Sequence, residues 1–181
     1  MPVAQRPTAC QLLSPREHPR VFLGKNGETA LKLTHLMKLI VRVEAPIAVG
    51  KVLTGVRMIY NASGGEFEGD RLRGQVLPGG GEWFLQGEDG VGQPDVRLLL
   101  QTDDDAYIYV RYSGVLEFNE TAMSAISEGR STNFGDNLFL TQVRFESSDP
   151  KYAWLSKTIA VGEGRMHSDC VEYAIYEVAH D

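Results

Sequence analysis

Residues 64–90, GGEFEGDRLRGQVLPGGGEWFLQGEDG, hold nine of the chain's 19 glycines, interleaved with carboxylates, two arginines and a tryptophan. Three readings compete for such a stretch: a phosphate loop, a flexible linker, or a set of bends in a compact fold. A phosphate loop needs its glycines to feed a helix, with a Lys-Ser/Thr pair or a Gly-x-Gly-x-x-Gly register. Here PGGG is followed by the strand-like EWFLQG and no lysine. A solvated linker is excluded by Phe67, Leu72, Val76, Leu77, Trp83 and Phe84, which are too apolar for a free tether. What remains is a series of tight turns and bends that use glycine's backbone freedom.

The segments on either side agree. In ALKLTHLMKLIVRVEAP (residues 30–46), Leu31, Leu33, Met37, Leu39, Val41 and Val43 share one parity, the period-2 pattern of a half-buried strand. A helix is the alternative for its LTHLMKLI portion. KVLTGVRMIYN alternates in the same way and is expected to end at Asn61-Ala-Ser-Gly-Gly. Short strands are then expected at EFEG, LRGQVL, EWFLQG, VRLLLQT, AYIYVRYSG, LFLTQVRFE, KTIAVGEG and CVEYAIYEV, each bounded by Gly, Asp, Asn or Pro. Asp103-Asp104-Asp105 reads as a solvated hairpin corner, because the longer ligand pattern of a calcium loop is missing. One insertion, residues 120–136, holds a short helix around Ala122 to Ile126 and a polar loop. Many short strands with glycine bends predict an all-β fold, a single antiparallel barrel rather than a sandwich. Residues 1–29, polar and aperiodic, are expected to form a flexible arm, and residues 30–181 the barrel domain.

Bulk properties narrow the function. A net charge of −6 and a pI near 5.3 leave no electrostatic footprint for nucleic acid or an anionic membrane. No apolar run has the length of a signal peptide or a transmembrane helix, so a cytoplasmic location is expected. Cys10 and Cys170 are far apart and outside any metal-ligand spacing, and are expected to be reduced thiols. The four histidines, His18, His35, His167 and His180, do not cluster in sequence, and no nucleophile elbow is present. No metal and no cofactor is expected.

Several ordered motifs carry a resemblance to a known family: GVR, GGEFEG, LRGQVLPGGGEW, TDDDAYIYV, then RFE before PKYAWL, and VGEGR. Together they resemble the bacterial and fungal family known as domain of unknown function 3237, over about Leu31 to Val178. The resemblance implies a compact antiparallel β-barrel, loosely like the calycin barrels, associated with small-molecule metabolism, and implies no particular reaction. Two positions depart from the pattern. The family usually has aspartate before the tryptophan, where this chain has Glu82, and commonly has arginine in the segment matching LFLTQ, where this chain has Leu140.

A small barrel turns alternate side chains inward, and its interior is the expected ligand site. Glu82 and Arg57 are the candidate catalytic pair. Glu82, held against Trp83, would have its charged form disfavoured by desolvation, which prepares a general acid or base. Arg57 or Arg97 would anchor a substrate carboxylate or stabilise an enolate. Arg97, Tyr109, Glu146, Trp83, Tyr152 and Trp154 complete the candidate substrate-binding set. The structural alternative stays open: Arg97, Tyr109 and Arg111 lie on the less apolar parity and would face solvent, Glu82 and Arg57 would form an ion pair only, and both tryptophans would be core. The expected function is proton transfer without a cofactor on a small organic acid or oxygenated aromatic metabolite, by isomerase, dehydratase or lyase chemistry. The competing readings are a non-catalytic ligand-binding or carrier barrel and an interaction domain. Self-association as a homodimer is compatible with all three.

Overall fold

The expected alternation is clearest in LFLTQVRFE, where Phe139, Thr141, Val143 and Phe145 are buried while Leu140, Gln142, Arg144 and Glu146 are exposed. The computed structural model describes residues 31–180. Among these the strands are β1 (Leu31–Val43), β2 (Ile47–Val52), β3 (Gly55–Glu68), β4 (Arg73–Gln86), β5 (Val91–Gln93), β6 (Asp95–Thr102), β7 (Tyr107–Glu117), β8 (Phe139–Glu146), β9 (Ile159–Met166) and β10 (Cys170–His180). One helix, α1 (Glu120–Ser127), and a short 3-10 turn, Ala153–Lys157, interrupt them. Eight strands close an antiparallel barrel in the order β1, β3, β4, β6, β7, β8, β9, β10 and back to β1. β2 forms a hairpin with β3, and β5 bridges the ends of β4 and β7. Closure leaves few unpaired strand edges. The expected all-β barrel with a short helix is the fold observed. The expected arm, residues 1–29, lies outside the described residues.

The glycine-rich stretch needs a correction. EFEG and the strand before it are one 14-residue strand, β3, which runs through Asn61-Ala-Ser-Gly-Gly without ending. LRGQVL and EWFLQG are likewise joined in β4, through Pro78-Gly-Gly-Gly81. The β3–β4 register shifts between Asn61 and Gly65, and the β4–β6 register between Leu77 and Gly81. The glycines therefore mark irregularities that bend long strands rather than corners between short ones. Gly65 shows why glycine is required: its φ is +149°, and an added Cβ would lie 2.0 Å from the Ile40 carbonyl oxygen. Conversely, the run expected as one strand from Lys51 to Asn61 is split by the β2–β3 turn at Leu53-Thr54.

A second shift corrects β1. Between His35 and Met37 the pairing with β10 slips, so the parity carrying Leu31 and Leu33 ceases to be that of the interior. Leu31 is exposed, whereas Leu36, Met37, Leu39 and Val41 are buried. The interior is filled by Leu39, Phe67, Leu98, Leu100, Ile108, Val110, Val143 and Ile175, all at most 2% exposed. One end is stoppered by Tyr152 and Leu155 around the 3-10 turn. The Asp104 carboxylate ties that turn down, accepting from Lys151 Nζ at 2.5 Å, Thr102 Oγ1 at 2.6 Å and Tyr152 Oη at 2.7 Å. Those bonds, Lys151 first, hold the Asp104 carboxyl well below its ordinary range. The acidic corner is thus a brace between the β6–β7 turn and the stopper. At the other end α1 starts at Asn119, whose Oδ1 accepts from the Ala122 backbone N–H at 2.9 Å and whose Nδ2 donates to the Asp136 carbonyl at 2.6 Å.

The expectation of reduced thiols fails for Cys170, which is disulfide-bonded; Cys10 lies outside the described residues. Cys170 is buried beside Ile40, apart from the barrel core.

Candidate functional site

Register builds the site. Tyr60 on β3 is directly opposite Glu82 on β4, Glu82 is opposite Val96 on β6, and Val96 is opposite Tyr112 on β7. Facing residues on paired strands lie on the same side of the sheet, so this row projects together. The buried neighbours Phe84, Val96, Leu98 and Tyr112 identify that side as the interior. Tyr173 of β10 reaches Tyr112 from across the barrel, with ring centroids 5.0 Å apart in an edge-on arrangement. Phe139 packs on the far side of Tyr173 at 5.4 Å. Val43 and Val171, at the end of β1 and the start of β10, complete the lining. The result is a carboxyl and three phenols set in aliphatic walls, with about 10 Å³ of clear space beside them, room for about one water.

Electrostatics follow from burial. Desolvation by the barrel wall, with a smaller repulsion from Asp95, pushes the Glu82 carboxyl up to about 7, and among the described residues no cation or hydrogen-bond donor offsets this. Burial likewise raises Tyr112 and Tyr173, and the Glu82 charge adds to both. Tyr60 is raised by burial and then by Glu82, and its hydroxyl rests on Met58 Sδ at 3.7 Å. All three phenols therefore keep their protons at neutral pH, while Glu82 is poised between its two forms. A group so poised can both take and return a proton.

The other candidate residues are elsewhere. Arg57 is opposite Leu85, one residue out of phase with the Tyr60–Glu82 pair, and its Nη1 donates to the Trp83 carbonyl on the outer face. The structure thus separates the proposed Glu82–Arg57 pair by the thickness of the sheet, and the ion-pair alternative fails with it. Trp83 is 39% exposed, with the Arg97 guanidinium 4.9 Å from its ring centre and Arg97 Nη2 3.3 Å from Asp95. Tyr109 and Glu146 face each other across β7 and β8, in the strand phase opposite to the buried Val110 and Phe145. Tyr152 is core at the stoppered end, and Trp154 lies nearby under the Arg71 guanidinium, 4.0 Å from its ring. Of eight candidates only Glu82 faces the interior cavity. Tyr60, Tyr112 and Tyr173 were not selected from sequence, although a signal existed: Tyr112 continues the apolar parity of Ile108 and Val110, so a phenol was bound to point inward.

The outer face carries two further features. A groove of about 1090 Å³ takes its lining from every strand except β2, among others Arg57 of β3, Trp83 of β4, Val115 of β7, Leu140 of β8, Glu163 of β9 and Leu33 of β1. It does not reach Glu82. Leu140, where the family resemblance leads one to expect arginine, lies in it and is 48% exposed. Separately, Glu172, 3% exposed, accepts from Arg165 Nε at 3.1 Å and Nη2 at 2.7 Å, contacts His167 Nε2 at 3.2 Å, and has Lys38 Nζ 3.5 Å away. Burial works to raise Glu172, but Arg165, Lys38 and His167 outweigh it and hold the carboxyl low. This cluster brings distant β1, β9 and β10 residues together as a structural ion network. Among the described residues no group of three or more His, Cys, Asp or Glu is placed to hold a metal.

Comparison with known proteins places this barrel among relatives. The UPF0311 protein RPA1785 of Rhodopseudomonas palustris is 28% identical over 148 residues, covering 82% of this chain and 97% of that one. Its crystal structure superposes with a TM-score of 0.76, covering 82% of this chain and 98% of that one. A β-barrel-like protein from Acinetobacter baumannii, 31% identical, superposes with a TM-score of 0.72 over 86% of this chain and all of that one. A Penicillium roqueforti protein named PR-toxin biosynthesis cluster protein 7 is 27% identical over 99 residues, 52% of this chain and 53% of that one. The family model described as a protein of unknown function, DUF3237, matches residues 31–178, and the chain belongs to that family.

Proposed function

We propose that this barrel is a cofactor-independent enzyme that moves a proton on a small oxygenated organic molecule, with Glu82 as the general acid and base. The observation that carries this is the position of Glu82: a carboxyl turned into an apolar barrel, opposite Tyr60, with no cation among the described residues to neutralise it. A carboxylate so placed binds a proton near neutrality, where exchange with substrate is least costly. In the reading favoured here, Glu82 takes the proton from a carbon next to a substrate carbonyl. The electron pair of that C–H bond moves onto the carbonyl oxygen, forming an enolate. The hydroxyls of Tyr60, Tyr112 and Tyr173 replace the arginine expected from sequence as donors to that oxygen. Where the substrate is β,γ-unsaturated, the enolate is conjugated and Glu82 returns the proton to the γ-carbon, giving an isomer; where the β-carbon carries a leaving group, the enolate expels it as Glu82 gives it the proton, giving a dehydration or lyase product. The clear space is too small for such a substrate, so its entry requires lining side chains to move aside. The fungal relative named for a toxin biosynthesis cluster favours a secondary-metabolite-like substrate.

The test is proton exchange. Small keto acids and hydroxylated aromatic ketones are incubated with the protein in D₂O, and deuterium uptake next to the carbonyl is followed by NMR. Uptake should fall by about a hundredfold or more in Glu82→Gln and by roughly tenfold in Tyr112→Phe. Full exchange by the Glu82→Gln protein would remove Glu82 from the chemistry. Saturable binding with no exchange by any compound would leave the carrier reading in its place.

A further inference from the structure

The ion network around Glu172 ends in a hydroxyl that the proton-transfer reading does not use. Ser131 Oγ lies 2.6 Å from His167 Nδ1, and His167 Nε2 lies 3.2 Å from Glu172 Oε2. From this chain of three side chains we infer a second active site, a serine esterase centre acting on small, unhindered carboxylic esters. Ser131 is its nucleophile, His167 the general base, and Glu172 the positioning residue that holds the imidazole.

The direction of the two hydrogen bonds follows from charge. Against its burial, Arg165 and Lys38 keep Glu172 a carboxylate, which can only accept. The proton of a neutral His167 therefore sits on Nε2, Nδ1 is bare, and the Ser131 hydroxyl donates to it. Those are the roles of a nucleophile, its base and an orienting carboxylate, with the two ring nitrogens exchanged relative to the serine proteases.

The fold holds this geometry without help from Ser131. The Thr132 backbone N–H donates to the Met166 carbonyl at 2.9 Å, and the Met166 N–H donates to Thr132 Oγ1 at 2.9 Å. Ser131 and His167 are the chain neighbours of that pair, so the clamp between the loop and the end of β9 brings hydroxyl and ring together. The His167 N–H donates to the Cys170 carbonyl at 2.9 Å, which fixes the ring's own backbone. The base and the carboxylate are sheltered, with side chains 9% and 3% exposed, while Ser131 is open to solvent. Phe134, on the same loop, is 36% exposed with the Arg165 guanidinium 4.8 Å from its ring centre, and offers apolar surface to an ester.

In the reaction, Ser131 Oγ attacks the ester carbonyl carbon as His167 Nδ1 takes the hydroxyl proton. The bond from that carbon to the alcohol oxygen breaks, and His167 gives the proton to the departing oxygen. Water then attacks the acyl-serine in the same way, releasing the acid and restoring Ser131. Among the described residues the Ser131 backbone N–H donates to no group and is left for the oxyanion. One such donor where triad enzymes use two predicts slow turnover, so covalent labelling is the sensitive readout.

The full chain is incubated with diisopropyl fluorophosphate, whose phosphorus loses fluoride to an activated serine, and the adduct is followed by intact mass and located by peptide mapping. One adduct, on Ser131, is expected, and it should stop hydrolysis of p-nitrophenyl acetate. Ser131→Ala, at an exposed position, should abolish both, and His167→Gln should slow labelling by about a hundredfold or more. Glu172→Gln, compared where circular dichroism shows it folded, should slow labelling about tenfold or more, and Glu172→Asp, which keeps the charge, should recover most of it. The absence of an adduct, an adduct that persists in Ser131→Ala, or hydrolysis that survives complete labelling overturns the inference. An unchanged rate in His167→Gln overturns it as well, and an unchanged rate in Glu172→Gln removes the positioning role.

Discussion

Replacing Glu82 by glutamine should make the folded protein relatively more stable as pH rises, and the size of the effect is set by the structure. Burial raises the Glu82 carboxyl from an ordinary value of 4.5 to about 7. A raised folded-state value means the native protein binds that proton more tightly than the unfolded chain does. The stability gained is fully present below about 4.5, where both states are protonated. It is lost as pH climbs to about 7 and beyond, where the native state must bury a charge. Each pH unit of that window is worth about 1.4 kcal/mol, so wild type should lose about 3 kcal/mol between pH 4.5 and pH 8 from this group alone. Glutamine keeps the shape and does not titrate. Its own burial cost is the same at every pH, and the lowered carboxyls Glu172 and Asp104 are common to both proteins. The difference between the two urea-unfolding free energies, measured at half-unit steps from pH 4.5 to 8, isolates Glu82. The Glu82→Gln protein should gain about 3 kcal/mol on wild type across that range, with about half of the change complete near pH 6 and a plateau above about 7. Parallel profiles would refute the claim that Glu82 is desolvated, and with it the physical basis of its proton-transfer role.

Other outcomes are expected. Glu172→Gln leaves Arg165, Lys38 and His167 around an uncharged amide at a 3% exposed position, and should cost about 3–5 kcal/mol in urea unfolding at pH 7. The same change should flatten the loss of stability in acid, because the native carboxyl is held low there. Gly65→Ala places a methyl group 2.0 Å from the Ile40 carbonyl at a backbone φ of +149°, and should cost about 3 kcal/mol or more by the same measurement. A cost below about 1 kcal/mol would show that the β3 irregularity relaxes without strain.

Much of this protein was legible in the residues themselves. Alternation in AYIYVRYSG and LFLTQVRFE determines two-faced strands, because side chains on a strand can only point one way or the other. Turn residues between such runs determine short connections, and strands without a matching set of long helices determine an all-β fold. The ordered motifs from GVR to VGEGR sufficed to place the chain in its family. Inserted glycines were visible but their effect was not. A glycine that ends a strand and one that bends it look alike in sequence, and only the pairing of β3 with β1 and β4 shows that Gly64 and Gly65 lie within a continuous strand. The same limit governs the site. Whether Arg57 shares a face with Glu82 depends on register between two strands, and one residue of slip reverses the answer. The fold sets Tyr60, not Arg57, opposite Glu82. Tyr173 lies 61 positions beyond Tyr112 in sequence and meets it only because the barrel closes, bringing β10 to face β7 across the interior. Local chemistry chose strands and turns; closure of the sheet chose which phenols surround the carboxyl.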